Sequence, residues 1–188
     1  MARSHLITGG ARSGKSRHAV AALSARRRVV FVATAQPGDA DMAARIARHR
    51  SERPPAWRTV EEPHDIAAAL ERLAGERLDA VVVDCVTVWV GSRVLRRDRD
   101  EAVLADADRI ATLAARPPWD LTLVTNEVGD GVHPETAEGL RFRDLLGLVN
   151  QRLAAACDRV TLMVAGLPLT VKEPGPTVPD HDVPPQTA

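Results

Sequence analysis

One run of residues near the N-terminus constrains the fold of this chain more than any other feature. It reads Gly9, Gly10, Ala11, Arg12, Ser13, Gly14, Lys15 and Ser16. This matches G-x-x-x-x-G-K-[ST], in which backbone N–H groups surround a phosphate, the lysine reaches the β- and γ-phosphates, and the serine hydroxyl binds Mg²⁺. A strand is predicted at residues 4–8, directly before the run. A helix is predicted at 15–26, so that it begins at the lysine of the run. This context predicts a P-loop that binds a nucleoside triphosphate.

The composition adds weight to the lysine of this motif. Lys15 and Lys172 are the only lysines in the chain, and every other strong base is an arginine. Arginine is a poor substitute where a compact point charge must sit between phosphates. We therefore predict that Lys15 binds phosphate and takes part in catalysis.

The rest of the chain alternates short apolar runs with helical segments, a pattern typical of an α/β fold with a mostly parallel sheet flanked by helices. We predict strands at 28–34, 57–60, 79–83, 121–125 and 159–164, and helices at 40–52, 64–74, 101–114 and 137–157. Residues 86–95 are apolar and fit either a helix or a strand. We expect one catalytic domain over residues 1–172 and a Pro-rich, disordered or surface-draped tail over 173–188.

Composition and charge exclude several classes of protein. The 188 residues, 45% of them hydrophobic, suit one α/β domain, and the formal net charge is zero. Nucleic acids and anionic membranes both select a basic surplus, so neither is an expected partner. The two cysteines match no metal or disulfide spacing, and the chain shows neither a signal peptide nor a membrane-spanning run. We expect a cytoplasmic protein that acts on small molecules.

An aspartate at the end of a predicted strand is the candidate metal residue. A P-loop needs an acidic residue at the end of a neighbouring strand to orient Mg²⁺ or its water. Asp84 follows Val81, Val82 and Val83 and fits that position. A strand-ending aspartate that caps the next turn is the alternative, but the P-loop favours Ser16 and Asp84 as the metal residues. No Asn-Lys-x-Asp motif is present, so an ordinary switch GTPase is not expected.

The helix at 40–52 carries the most informative histidine. Met42 and Ile46 define an apolar stripe, and His49 continues it, so His49 is predicted to face the protein body. A neutral imidazole can act as a nucleophile, and arginines nearby would stabilise developing phosphate charge. Taken alone, this helix favours a packed histidine with a solvated arginine face over a catalytic one.

Other polar residues leave their roles open. Glu61 follows the segment 57–60 and fits either a ribose or base contact or an ordinary loop carboxylate. Asn126 and Glu127 lie at the carboxyl end of a strand, where open α/β sheets bind ligands, so substrate contact and plain loop chemistry are both open. The remaining histidines match no metal-ligand spacing and are predicted at the surface: His5, His18, His64, His133 and His181.

Several runs together resemble one family, the bifunctional adenosylcobinamide kinase / adenosylcobinamide-phosphate guanylyltransferases of cobalamin assembly. They cover the chain in order up to Lys172: TGGARSGKSRHA (8–19), VATA (32–35), MAARIARHR (42–50), WRTVEEP (57–63), VVDC (82–85), VTNEVGDG (124–131), VNQRLAAACD (149–158) and VAGLPLTVK (164–172). A P-loop alone is generic. R-I-x-x-H, W-x-T-x-E and T-N-E-V-G following it in this order are highly specific.

The resemblance implies a RecA-like P-loop fold, a trimer and two reactions. The enzyme would phosphorylate the aminopropanol hydroxyl of adenosylcobinamide with ATP or GTP. The R-I-x-x-H histidine, here His49, would then attack the α-phosphate of GTP and pass GMP to adenosylcobinamide phosphate, giving adenosylcobinamide-GDP. This overturns the interpretation of His49 as merely packed. The family's nucleotide contacts would fall on Gly9 to Ser16, Ala33, Thr34, Ala35, Arg50, Ser51, Glu52, Arg53, Glu61 and Asp84.

The chain departs from the family pattern at three positions. Arg48 stands where some members have a second histidine, so His49 is the single nucleophile candidate. Asp84 can be Glu in the family, and His133 replaces a small apolar residue before a proline, which leaves the local loop contacts open. A P-loop small-molecule kinase without guanylyl transfer and a nucleotide-binding regulatory protein are the alternative hypotheses.

Overall fold

The computed structural model describes residues 2–36, 38, 40–51, 53–129, 131 and 133–174, in which strands and helices alternate. The strands are β1 (Ser4–Gly9), β2 (Val29–Ala33), β3 (Arg58–Glu61), β4 (Ala80–Asp84), β5 (Asp120–Val124), β6 (Arg159–Val164) and β7 (Leu167–Lys172). The helices are α1 (Lys15–Ala22), α2 (Ala40–Ser51), α3 (Ile66–Leu73), α4 (Val86–Leu95), α5 (Asp100–Ala115) and α6 (Ala137–Ala156). The predicted α/β architecture is confirmed.

The strands form one seven-stranded sheet in the order β3-β2-β4-β5-β1-β6-β7. All neighbouring strands pair in parallel except β7, which runs antiparallel to β6. The carboxyl ends of the parallel strands therefore lie at one edge, where open α/β sheets bind their ligands. β5 separates β1, which leads into the P-loop, from β4, which ends at Asp84.

The sheet divides the core into two layers. Because successive side chains of a strand point to opposite faces, Leu6 packs into one layer and Ile7 into the other. The larger layer lies under α3, α4, α5 and α6 and contains Trp89 and Trp119. The smaller layer lies on the α1 side and contains Phe31 and Trp57. The candidate site is built over this smaller layer.

The segment whose type the sequence left open, Val86–Leu95, is a helix. Its buried residues include Val86, Trp89, Val90 and Val94, which are positions i, i+3, i+4 and i+8 of one helix face. Helix α1 ends at Ala22, four residues earlier than predicted. After it the backbone forms tighter turns, in which Leu23 N–H donates to the Val20 carbonyl and the Ser24 hydroxyl donates to the Ala21 carbonyl.

The strand β7 was not predicted. It forms a hairpin with β6 across Ala165 and Gly166, which have φ angles of 50° and 85°, the two positive values that a type I′ turn needs. Leu167, Leu169 and Val171 alternate along it and are exposed, and Pro168 is tolerated because the strand is at the edge of the sheet. The tail predicted from residue 173 has only Glu173 and Pro174 within the described residues, and 175–188 lie outside them.

Candidate nucleotide-binding site

The P-loop leads directly from β1 into α1, as predicted. Gly9 has a φ of 142°, and a Cβ there would lie 2.4 Å from the Met163 carbonyl oxygen, so the strand can turn here only with glycine. The hairpin supports the loop from the other side, where Gly166 N–H donates to the Ser13 carbonyl at 3.1 Å. The first turn of α1 therefore presents its N–H groups at the sheet edge, as a phosphate site requires.

The P-loop lysine is buried inside its own loop. Lys15 Nζ donates to the carbonyl oxygens of Gly9 at 2.7 Å and Gly10 at 2.6 Å, and it lies 3.3 Å from Ser13 Oγ. Its side chain is 7% exposed. These contacts hold the ammonium inside the loop, and the predicted contact of Lys15 with phosphate remains a prediction.

A cavity of about 350 Å³ opens beside the P-loop. It lies between α1, β2, the end of β4 and the last turns of α2. Its lining consists of Ser16, Arg17, Val20, Ala21, Phe31, His49, Arg53 and Asp84. Four of the residues predicted from the sequence thus meet here: Ser16, His49, Arg53 and Asp84.

His49 and Asp84 face each other in this cavity. His49 Nδ1 lies 4.0 Å from Asp84 Oδ2, and the two side chains are 27% and 11% exposed. His49 therefore faces the protein body, as predicted. The side chain of Met42, which belongs to the predicted stripe, lies outside the described part of the structure. An imidazole with a carboxylate on one side and a P-loop serine in the same cavity can act on a bound phosphate.

Arg53 lines the cavity beside Phe31. Its guanidinium carbon lies 3.5 Å from the centre of the Phe31 ring, and Nη1 donates to Thr59 Oγ1 at 3.3 Å. Its Nε is buried and has no hydrogen-bond partner. Burial lowers the pKa of Arg53 below its usual value, opposed by the charge of Asp84 and assisted by Arg50. The side chain is thus a cation that a flat, electron-rich ring holds in place.

Other predicted nucleotide contacts are outside the lining of the cavity. The Thr34 hydroxyl accepts from Cys85 N–H at 2.8 Å and donates to the Cys85 carbonyl at 2.9 Å, so it fixes the backbone after Asp84. Arg50 and Glu61 form an exposed ion pair at 3.4 Å. Ser51 donates to the Arg48 carbonyl at 2.8 Å. Glu52 lies outside the described residues.

Part of the lining was not predicted. Arg17 comes from the first turn of α1, Val20 and Ala21 come from the second, and Phe31 comes from the centre of β2. The signal for Phe31 was available, because it is one of two phenylalanines in a chain with few aromatic residues. Nothing in the sequence indicated which face of α1 lines a cavity, since that depends on how α2 packs across the sheet edge.

The histidines predicted at the surface divide between two environments. His133 is exposed, as predicted, whereas His5, His18 and His64 are half-buried and His181 lies outside the described residues. His5 contradicts the surface prediction because it lies on β1 in the centre of the sheet, where Nε2 is 2.8 Å from Thr161 Oγ1. Among the described residues, no three His, Cys, Asp or Glu side chains form a cluster that could hold a metal ion.

The sheet order, the P-loop and the strand-end aspartate define a P-loop NTPase fold. Solved structures agree: an ATPase from the type III secretion system of pathogenic bacteria aligns with a TM-score of 0.54 at 10% identity, covering 89% of this chain and 56% of that chain. The RadB recombinase aligns with a TM-score of 0.50 at 15% identity, covering 85% and 73%. Identities this low support the fold alone.

Sequence similarity shows the family to which this chain belongs. Residues 5–171 match the family described as cobinamide kinase / cobinamide phosphate guanyltransferase, and the chain belongs to that family. The bifunctional adenosylcobalamin biosynthesis protein CobP of Pseudomonas aeruginosa is 44% identical over 170 residues, covering 89% of this chain and 96% of the relative. The corresponding CobU proteins of Escherichia coli and Salmonella typhimurium are 40% and 42% identical, each covering 89% of this chain and 98% of the relative.

Proposed function

We propose that this protein is a bifunctional enzyme that phosphorylates adenosylcobinamide with ATP or GTP and then converts adenosylcobinamide phosphate into adenosylcobinamide-GDP. Family membership over residues 5–171 supports both activities. The observation that carries the proposal at the site is His49 facing Asp84 in the cavity that Ser16 also lines. A kinase alone would need the P-loop and an acidic residue but no histidine at this position.

In the kinase reaction, the P-loop holds the triphosphate and the substrate hydroxyl attacks the γ-phosphate. Lys15 would leave the Gly9 and Gly10 carbonyls to contact the β- and γ-phosphates. The hydroxyl oxygen bonds the γ-phosphorus and its proton passes to water, while the bond from that phosphorus to the β–γ bridging oxygen breaks and the nucleoside diphosphate departs. The protein contributes mainly position and positive charge, which is the usual basis of phosphoryl transfer.

In the guanylyl transfer, a ring nitrogen of His49 attacks the α-phosphate of GTP. The carboxylate of Asp84 lies on the Nδ1 side of the ring and favours the tautomer with the proton on Nδ1, which leaves the lone pair on Nε2. A nitrogen–phosphorus bond forms, and diphosphate leaves into the P-loop. An oxygen of adenosylcobinamide phosphate then attacks the same phosphorus, the nitrogen–phosphorus bond breaks, and His49 is regenerated.

A magnesium ion fits the donor set of this cavity. Mg²⁺ is bound in nucleotide enzymes by one or two protein oxygens together with phosphates and water, and the Ser16 hydroxyl and the Asp84 carboxylate both line the cavity. Bound there, it would neutralise charge on the phosphates. We propose Ser16 and Asp84 as its protein ligands, direct or through water.

We propose that the nucleotide contacts extend from the P-loop to the end of α2 and the segment that follows it. Arg53 lines the cavity, and Arg50 directly follows His49, which also lines it; Glu61 pairs with Arg50. The complete proposed set is Gly9 to Ser16, Ala33, Thr34, Ala35, Arg50, Ser51, Glu52, Arg53, Glu61 and Asp84. For Thr34 the proposal concerns its backbone, since its hydroxyl is occupied by Cys85.

The experiment that tests the proposal is incubation of the purified protein with Mg²⁺ and GTP labelled at the α-phosphate. We expect acid-labile, alkali-stable label on the polypeptide, and none on His49→Ala, because a phosphorus–nitrogen bond has that stability profile. His133→Ala is the matched control, since His133 is exposed and outside the cavity, and it should label like the parent.

Two outcomes contradict the proposal. A parent that binds GTP but takes up no label would be a P-loop kinase or a nucleotide-binding protein without guanylyl transfer. Label that persists in His49→Ala would place the nucleophile elsewhere.

We further propose a homotrimer in the cytoplasm. The exposed apolar residues of β7 at the sheet edge support self-association, because a hydrophobic edge strand is seldom left open to water. Among the described residues, no helix combines the length and apolar character that crossing a bilayer requires. We also propose one catalytic unit over 1–172 with a separate tail; in its support, the strands of the described residues all belong to one sheet, and the last of them ends at Lys172.

A further inference from the structure

The segment after β5 is held by side chains in an unusual way. Asn126 N–H donates to the Thr87 hydroxyl at 2.6 Å, and the Asn126 carbonyl accepts from Asn150 Nδ2 at 3.0 Å. Thr87 belongs to the first turn of α4, and Asn150 lies within α6. Both backbone polar groups of Asn126 are thus fixed by side chains from two separate helices.

The same side chains also bond one another. Thr125 donates its hydroxyl to Asn150 Oδ1 at 2.8 Å and lies 3.2 Å from the Thr87 hydroxyl. Thr125 is fully buried and Thr87 is 8% exposed. We call Thr87, Thr125 and Asn150 the β5 clamp. A buried polar network of this kind is costly unless every member is satisfied, and when satisfied it holds its partners rigidly.

The clamp is connected to the P-loop by one hydrogen bond. Glu127 N–H donates to the Gly9 carbonyl at 3.1 Å, and the same oxygen accepts from Lys15 Nζ at 2.7 Å. Since β5 lies between β1 and β4, residues 125–127 stand between the P-loop and the strand that ends at Asp84. The clamp therefore sets the position of one P-loop carbonyl relative to Asp84.

We infer that Thr87 and Asn150 are positioning residues for phosphoryl transfer, acting through the Asn126–Glu127 backbone on Gly9, the first residue of the P-loop. The inference rests on the proposed kinase function and extends it to two side chains that do not line the cavity. Phosphoryl transfer depends on placing the reacting groups within a fraction of an ångström. Loosening the clamp should slow the transfer more than it weakens nucleotide binding, because most contacts to the triphosphate come from the P-loop itself.

The test compares Thr87→Val with Thr87→Ser. Valine keeps the shape of threonine but removes the acceptor for Asn126 N–H, and serine restores that acceptor. For Thr87→Val we expect kcat for cobinamide phosphorylation to fall roughly tenfold while the Kd for MgATP stays within about twofold. Thr87→Ser should recover most of the lost kcat. Amide exchange at Asn126, followed by NMR, should be faster in Thr87→Val only.

The matched control for general destabilisation is Thr161→Val. Thr161 is buried like Thr87. It lies on β6, which flanks β1 on the side opposite to β5, and its hydroxyl forms a hydrogen bond with His5. It should lose a comparable amount of thermal stability with kcat unchanged. Equal losses of kcat in Thr87→Val and Thr161→Val would overturn the inference. So would a rise in the Kd for MgATP with kcat unchanged, which would make the segment a binding element.

The parent enzyme separates failure of the inference from failure of the function. A parent that phosphorylates cobinamide, with a Thr87→Val variant equal to it in kcat and in Asn126 exchange, would overturn the clamp and leave the proposed function intact. A parent that binds MgATP but does not phosphorylate cobinamide would overturn the proposed kinase function and the catalytic role of the clamp with it.

Discussion

Gly9 and Gly10 are adjacent in the P-loop but are under different constraints. Gly9 has a positive φ, and its α-carbon faces the Met163 carbonyl, whereas a Cβ on Gly10 would meet nothing within 4 Å. The first glycine is therefore required by the backbone and by close approach. The second is free of both constraints in this structure. The spacing of the motif assigns its first glycine to Gly9, and the structure supplies the physical reason for glycine at that position.

We expect Gly9→Ala to lower the free energy of unfolding by about 2 kcal/mol or more, since a Cβ would overlap a backbone carbonyl and the φ would be strained. Gly10→Ala should change it by less than about 0.5 kcal/mol. Urea unfolding of the two variants beside the parent measures the difference. Equal stabilities would mean that the loop relaxes away from Met163 at little cost.

His5 gives the protein a pH dependence of stability unrelated to the site. Burial lowers the pKa of His5 to about 4, with smaller contributions from the charges of Arg159 and His18. In the unfolded chain His5 has a pKa near 6.5 and binds its proton more tightly than in the folded protein. The neutral His5 therefore contributes its full share to the free energy of unfolding above about pH 6.5, and this share is lost as the pH falls towards 4.

The corresponding experiment is chemical unfolding at pH 7 and pH 4.5 of the parent and of His5→Gln, which does not titrate. The parent should lose about 1–2 kcal/mol more than the variant over this interval, a figure that allows for solvent screening of a half-buried group. Parallel losses in the two proteins would show that His5 is protonated in the folded state.

At the scale of the secondary-structure elements, helix α3 is stabilised by its N-cap residue, Asp65. Asp65 accepts from Ala68 N–H at 2.9 Å and caps an eight-residue helix that has few internal hydrogen bonds of its own. Asp65→Ala should lower the free energy of unfolding by about 1 kcal/mol, and Asp65→Asn, which keeps the capping oxygen, by much less. Thermal unfolding followed by circular dichroism distinguishes them, and equal losses would assign the effect to the nearby charge of Arg109.

The elements that the sequence predicted well are those with a strong period or a strong motif. β2 and β4 are nearly continuous in valine because central parallel strands are buried on both faces, and the P-loop fixed the ends of β1 and α1 that meet it. β7 was missed because its alternating residues face outward, so the pattern does not match a strand with one face in the core. The type of α4 was open because a fully apolar run lacks the polar residues that mark a period.

The site was predictable as a set of residues but not as a shape. Ser16, His49 and Asp84 were identified from motifs, and the structure places all three around one cavity. Their separations depend on the packing of α2 over the sheet edge, which sequence spacing does not encode. The β5 clamp was missed for the same reason, because Thr87, Thr125 and Asn150 come from three different elements and meet only in the folded chain.

At the scale of the whole molecule, the described sheet has an apolar edge strand, β7, that bears on assembly. Leu167, Leu169 and Val171 are 71%, 57% and 60% exposed. Leu167 and Leu169 lie on the same face of β7, and Val171 lies where the pairing with β6 shifts register. Leu169→Glu should shift the proposed trimer towards monomer, because a carboxylate would be buried in an apolar contact. Leu95→Glu is the control, since Leu95 is equally exposed at the end of α4. Sedimentation velocity reports both, and a monomeric parent would overturn the proposed trimer itself.

The division of the core into two layers also divides the tryptophans. Trp57 lies in the layer that contains Phe31 and supports the cavity, whereas Trp89 and Trp119 lie in the layer on the far side of the sheet. The chain has no tyrosine, so its near-ultraviolet signal comes almost entirely from these three rings. A protein with Trp89 and Trp119 replaced by phenylalanine would carry a single native fluorophore beside the nucleotide cavity, and would report ligand binding without an attached dye.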